Sequence, residues 1–409
     1  MNILELIGLE NVKKGIFGDA RRLLRIVILF AAGNAFAGGF LNIFLFQATG
    51  SIVLIVGQNV LFAATLLVAF LVGTQMLTKY NVTTIMRLGI IFTLLYYLMI
   101  LLLQPWIGVL LVPLGIVHGI GNGLYWCALN ILLARVVDDE SRGKFFGIQQ
   151  IFGNSFGIFV PTVSGFIIVA FTGFTGYYIL FAVAVILQLV AVFLSFRIQG
   201  FKSEKQLNAL PVLAVKGNKY WMATKLYSMS FGFSTHIFMQ TFVLFAFAVL
   251  DSELQVGNFN SVTAIISVLS AMWITRRISM KNQRQVHLVG AIIHFIILFG
   301  LGVFANIPAL IVVFIGIGVV QSWGNNISQS VKFQLANKSE EDSHHTKEEF
   351  LIATEFPIAF GRVVGLLTTL VIAALLPEIT AYRILMLICS VCWLANHLIL
   401  KQQVNWLEG

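Results

Sequence analysis

The chain has 409 residues, 58% of them hydrophobic and 11% charged, with a formal net charge of +9 and a mean hydropathy of +0.92. That composition excludes a soluble globular fold, because too little polar surface is present to cover the apolar residues, and it leaves lipid as the main solvent. The positive excess needs no nucleic acid, since basic loops beside anionic lipid account for it.

Residues 1–22 carry Ile3, Leu4, Leu6, Ile7, Leu9, Val12, Ile16 and Phe17, interrupted by Glu5, Glu10, Lys13, Lys14 and Asp19. This reads as an N-terminal amphipathic cytoplasmic segment, either a short helix in the membrane interface or a plain tail. Twelve apolar runs follow, at 23–47, 51–76, 82–104, 107–133, 145–172, 175–198, 221–249, 257–275, 285–305, 307–331, 350–376 and 379–400. About 20 apolar residues cross a bilayer core as a helix, so the chain is expected to be an all-α membrane protein with twelve transmembrane helices.

Charge alternates between the gaps. One set is short and nearly uncharged, with Asp251, Glu253 and Glu378 its few ionised groups; the other carries Lys79 and Arg87, Arg135, Arg142 and Lys144, Lys202 to Lys219, Arg276 to Arg284, and Lys338 and Lys347. Lys and Arg concentrate in short loops that are not translocated, which predicts a multi-pass protein of the cell membrane with both termini cytoplasmic. Cys127, Cys389 and Cys392 fall inside apolar runs, where thiols behave as small hydrophobes.

The polar stretch 199–220 is expected to be a cytoplasmic linker between an N-terminal six-helix bundle at 23–198 and a C-terminal one at 221–400, with a tail at 401–409. Fragments recur across it. Gly38 with Asn42-Ile43-Phe44 faces Gly232 with His236-Ile237-Phe238, Gly121-Asn122 faces Gly324-Asn325, and Asn81 to Gly89 faces Asn282 to Gly290. These matches come in chain order and at corresponding places in corresponding spans, which points to a duplicated unit and two pseudo-symmetric bundles.

Asp138-Asp139-Glu140-Ser141-Arg142-Gly143-Lys144 lies between spans four and five, and Gly153, Gly157, Pro161 and Gly165 follow at four-residue spacing. With two six-helix halves and a cytoplasmic connector, the chain resembles the major facilitator superfamily of secondary transporters. The loop element is similar to the acidic-x-Arg-Gly element of that superfamily, and the glycine series looks like a loose form of an antiporter motif without its Gly-Pro pair. The signature loop between spans two and three is altered to Gly73 through Lys79-Tyr80-Asn81, with no Asp and no Gly-Arg. What the resemblance implies is alternating access by two rocking halves, with Arg142, Gly153, Gly157 and Pro161 in gating or packing roles and with spans one, four, seven and ten lining the substrate path.

Glu355 and Arg362 lie inside the eleventh run, seven residues apart, hence on one helical face and about 10 Å apart along the axis. Charge at that depth costs at least about 2.5–3.5 kcal/mol. The pair is expected either to form a structural network, with Arg362 reaching Glu355 or Gln58 and Asn59, or to couple transport, with Glu355 carrying a proton and Arg362 holding an anionic part of the substrate. Pro357 between them is expected to kink the helix. Asn42, His118, Asn122, Tyr125, Trp126, His236, Gln240, Gln321 and Asn325 are candidate substrate contacts, each with an interhelical hydrogen bond as its alternative role. Arg383, near the other end of the last span, and Lys332, at the end of the tenth, are read as snorkelling cations.

No phosphate-binding loop, metal-ligand spacing or nucleophile with its base occurs in the sequence, so neither an enzyme nor a cofactor or metal is expected. The expected function is a secondary active transporter, proton-coupled, moving a polar or amphipathic organic solute, with export favoured. Its partners would be a small-molecule substrate, protons and membrane lipids, with the chain a monomer. A lipid or glycolipid flippase is the alternative within transport, and a transporter-like sensor or scaffold the alternative of another class.

Overall fold

The computed structural model describes residues 18–103, 106–137, 139–202, 209–275, 282–345, 349–350 and 353–408, so the amphipathic stretch at 1–17 and the linker core at 203–208 lie outside the described residues. Among the described residues there is no strand. The long helices are α1 (Gly18–Thr49), α2 (Ile52–Met76), α3 (Val82–Leu102), α4 (Ile107–Val136), α5 (Asp139–Ala170) and α6 (Thr175–Ser195), then α7 (Lys219–Leu250), α8 (Glu253–Thr275), α9 (Gln283–Phe304), α10 (Ile307–Glu341), α11 (Glu355–Leu375) and α12 (Glu378–Glu408). A single turn, Ala209–Leu213, precedes α7.

Among the described residues, eleven of these helices are long and apolar enough to cross a membrane, and α10 contributes a shorter apolar stretch, Ile307–Gln321. Their ends follow local chemistry. Asn218 and Asn306 cap α7 and α10, their side-chain oxygens accepting from Trp221 N at 2.9 Å and Ala309 N at 3.0 Å, bonds that satisfy otherwise orphaned first-turn donors and contribute about 1 kcal/mol each. At the far ends of α7 and α9 the chain turns through left-handed residues, Asp251 at φ 50° and Ala305 at φ 49°.

Two boundaries differ from the expected ones. Residues 139–144, read as a loop, form the first turns of α5. Helix α11 begins at Glu355, behind the N-cap Thr354, rather than near 350. Glu355 is thus the acidic residue of the first turn of α11. Pro357 stands just after Thr354, where the helical run from residue 353 into α11 is interrupted.

The chain forms two compact units, Met1–Leu41 with Ala64–Gln206, and Asn42–Ala63 with Leu207–Gly409. The hairpin 42–63 groups with the second unit, where Gln47 Nε2 donates to Glu253 Oε1 at 2.6 Å. Each unit repeats the same internal neighbours: α3 contacts α4 and α6 in the first, α9 contacts α10 and α12 in the second. Gly123 on α4 abuts the backbone of α2 at Leu66 and Phe70, and Gly318 on α10 abuts α8 at Thr263 and Ile266. Small residues at these crossings let helix backbones approach closely, which drives association in lipid.

The repeat extends to polar contacts. In the first unit Arg87 on α3 donates from Nε and Nη2 to Ser195 Oγ and O of α6, both at 3.1 Å. About two hundred residues later, His287 on α9 and His397 on α12 occupy the corresponding places, their Nδ1 atoms 2.8 Å apart. Arg383 also does more than snorkel. Its Nε and Nη2 donate to Gly302 O at 2.9 Å and Val303 O at 2.7 Å, neutralising the unpaired carbonyls at the end of α9.

Candidate functional site

In the second unit, α7 and α11 cross with almost no side chain between them. A Cβ at Gly361 would strike Met229 O, one at Gly365 Phe233 O, and one at Gly232 Ile358 O. This crossing holds Arg362 against α7. Glu355 lies within electrostatic reach of both Arg362 and Lys332, and Arg362 within reach of His236. Glu355 therefore acts through space on two cations, with an imidazole beyond them. Arg362 Nε is buried without a hydrogen-bond partner among the described residues, so part of its donor fork is unspent. Lys332, read as snorkelling, instead lines a pocket with Thr224, Tyr227, Ser228 and Ser328. Beyond the apolar stretch of α10, the exposed Lys338 is held above its usual pKa by its hydrogen bond and ion pair with Glu341.

A second cavity, of about 310 Å³, lies inside the same unit between α7, α8, α9, α10 and α12. Gln321 and Met239 are exposed at its rim, whereas Phe242, His294, Leu298, Phe314 and Ile317 are buried in its wall. His294 stacks on Trp393 with centroids 4.2 Å apart and planes 5° apart. Phe231 borders both cavities.

The remaining candidates separate into several groups. His236 donates from Nδ1 to Gly232 O at 3.0 Å, leaving Nε2 as an acceptor because a carbonyl cannot donate. Gln240 is buried with Nε2 unpartnered among the described residues. In the hairpin region Asn42 Oδ1 accepts from Asn59 Nδ2 at 3.5 Å. The first-unit candidates are largely engaged in packing. His118 stacks on Tyr96 at 4.1 Å and 3°, Asn122 donates to His118 O at 3.1 Å, and Tyr125, 1% exposed, stacks on Phe30 at 3.6 Å. Trp126 is exposed.

On α5, Pro161 lies inside the helix. Gly153 has no neighbour within 4 Å of where a Cβ would stand, and Gly157 is half-buried. The side chains of Arg142 and Asn325 lie outside the described ones. Among the described residues no three His, Cys, Asp or Glu side chains converge on a metal-sized site.

Sequence reasoning passed over His287, His294, Trp393 and His397. The signal was present: His287 and His294 are seven residues apart on α9, hence on one face, and an ionisable residue within a span is a functional candidate by default.

These two pseudo-repeated helical units find their match in a known family. The model of the Major Facilitator Superfamily covers residues 23–343. The chain belongs to the major facilitator superfamily. It is 27% identical over 377 residues to the uncharacterized protein YqgE of Bacillus subtilis (strain 168), covering 91% of this chain and 86% of the other. A protein encoded in the sodM 3' region of Geobacillus stearothermophilus, also uncharacterized, is 28% identical over 177 residues, 43% of this chain and 81% of its own.

Solved superfamily folds superpose over nearly the full length. The nucleoside transporter NupG has a TM-score of 0.69 at 13% identity, covering 95% of this chain and 99% of that one. A proton dependent oligopeptide transporter has 0.69 at 14%, covering 95% and 98%. A bacterial homologue of the iron transporter ferroportin, inward-facing, has 0.67 at 12%, covering 94% and 98%. At these identities the likeness carries the fold. As a superfamily member the chain is an integral membrane transporter of small molecules rather than an enzyme.

Proposed function

We propose that this chain is a proton-coupled secondary transporter that exports a polar or amphipathic organic solute by alternating access. The observation that carries the reading is Glu355, one carboxylate within reach of both Lys332 and Arg362. Ionised, it compensates the two cations; protonated, it leaves them in excess inside the second unit. An uncompensated buried charge costs several kcal/mol, so protonation favours a rearrangement that brings an acceptor group of the solute to Arg362 or opens the site to water. One proton then moves per cycle on Glu355, and His236 supplies a neutral acceptor beyond Arg362. Gly232, Gly361 and Gly365 give this pair of helices a close backbone contact along which a small slide is transmitted as a rigid-body motion.

Export rests on the resemblance of the α5 series Gly153, Gly157, Pro161 and Gly165 to an antiporter motif. The proton dependence named for the oligopeptide transporter belongs to that protein; its likeness in fold makes the same driving force worth testing here.

The test is transport by purified protein in proteoliposomes under an imposed pH gradient. With one proton per solute, a step of one pH unit supports about tenfold accumulation. Glu355→Gln is expected to abolish the response to the gradient while solute exchange at equal pH persists. Transport by Glu355→Gln that still follows the gradient removes Glu355 from the coupling role. Movement of fluorescent phospholipid between leaflets, with no solute movement, replaces the solute reading with that of a flippase.

A further inference from the structure

The 310 Å³ cavity within the second unit falls in the size range of small-molecule sites, roughly 300–1,000 Å³, and its wall specifies a ligand. Its body is aromatic: Phe242 meets Phe314 edge-on at 4.9 Å, and His294 lies flat on Trp393. Its polar lining is Thr235, Asn260, Thr263, His294 and Gln321. His294 Nδ1 is 3.1 Å from Gly290 O, and because a carbonyl only accepts, Nδ1 carries the ring proton and Nε2 of the neutral imidazole is an acceptor. Thr235 and Trp393 line the same wall with their Oγ1 and Nε1 sealed from the cavity and without a hydrogen-bond partner among the described residues. A hydroxyl donor answers the imidazole acceptor. No Asp, Glu, Lys or Arg is among the described residues lining the cavity, so an ionised ligand group would lose its hydration without compensation.

We propose that this cavity receives an uncharged aromatic group bearing a hydroxyl, its rings packed against Phe242, Phe314 and Trp393 and its O–H donated to His294 Nε2. The inference rests on the transport reading above and narrows its solute to an aromatic amphiphile. The aromatic end enters at the rim formed by Gln321 and Met239. Phe231, which borders both this cavity and the pocket of Lys332, separates that end from the coupling charges.

The experiment is equilibrium binding to purified protein in lipid nanodiscs, by calorimetry and by shift of the unfolding temperature, with empty nanodiscs as the partition control. The probes are 2-naphthol, naphthalene and 2-naphthoate. We expect saturable binding of 2-naphthol, binding of naphthalene weaker by about tenfold, the worth of one hydrogen bond, and none of 2-naphthoate. His294→Phe keeps a ring on Trp393 but removes the acceptor, and is expected to bring 2-naphthol down to the affinity of naphthalene. His294→Gln, whose amide oxygen accepts, is expected to restore part of the difference.

The proposal is overturned if wild-type protein binds 2-naphthol without saturation, if the three probes bind alike, or if His294→Phe leaves the advantage of 2-naphthol unchanged. Should the variants fail to fold, the wild-type series decides alone. Binding and transport fail separately. Saturable 2-naphthol binding without gradient-driven movement overturns the transport reading and keeps the cavity, whereas gradient-driven transport by protein that does not bind 2-naphthol overturns the cavity assignment.

Discussion

His287 and His397 bring two imidazoles together, Nδ1 to Nδ1 at 2.8 Å, each 4% exposed. One ring must donate and the other accept, so removing either leaves a buried ring nitrogen without its partner, at a cost of about 1–3 kcal/mol. His287→Phe and His397→Phe are each expected to lower the unfolding temperature. The double variant, which keeps a stacked aromatic pair and leaves no orphan, is expected to recover most of the loss. A double-mutant cycle by thermal unfolding checks this; simple additivity of the two losses would show that the rings contribute by packing alone. Cys389 has a comparable structural place, its Sγ 3.7 Å from Ser234 O on α7. This gives the Cys389-Ser390-Val391-Cys392 spacing a packing role in the helix interface.

At the scale of helices, the second unit turns on the crossing of α7 with α11. Methyl groups at Gly361 or Gly232 would meet the backbone of the opposing helix, which cannot move aside as a side chain does. Gly361→Ala and Gly232→Ala are therefore expected to destabilise by about 1–3 kcal/mol. Gly153→Ala on α5, with open space around the new methyl, is expected to leave stability unchanged or slightly raised, since alanine is the better helix former by about 1 kcal/mol. Unfolding temperatures of the three variants measure the contrast. Loss of transport in a stable Gly153→Ala would assign that glycine to conformational change.

Over the whole chain, the charge pattern makes a prediction about sides of the membrane. Helix α7 has 32 residues, about 48 Å at 1.5 Å per residue, longer than a hydrocarbon core of about 30 Å. Single cysteines at Lys216 and Ser252, before and after α7, are expected to react with a membrane-impermeant maleimide from opposite faces, Lys216→Cys only from the cytoplasmic side. Labelling of both from one face would overturn the topology drawn from the basic loops. Cys127 and Cys389, 1% and 0% exposed, are expected to stay unmodified until the protein unfolds.

The sequence by itself pointed to the solvent, the helical class, the duplication and the family resemblance, because each is written in local quantities: the length of apolar runs, the placement of Lys and Arg, and fragments that recur in chain order about two hundred residues apart. It also singled out Glu355 and Arg362, since a charge inside an apolar run is conspicuous wherever the run folds. It missed what depends on which helices become neighbours. Lys332 counted as a surface cation until α10 was set beside Glu355, and Arg383 had no visible partner until α12 brought it to the end of α9. His294 and Trp393, on α9 and α12, stand 99 residues apart and share no local pattern. Only tertiary structure decides such pairings, because a hydrogen bond or a ring stack requires contact at about 3–5 Å, and in lipid the faces that meet are chosen by the fit of small residues rather than by hydrophobicity.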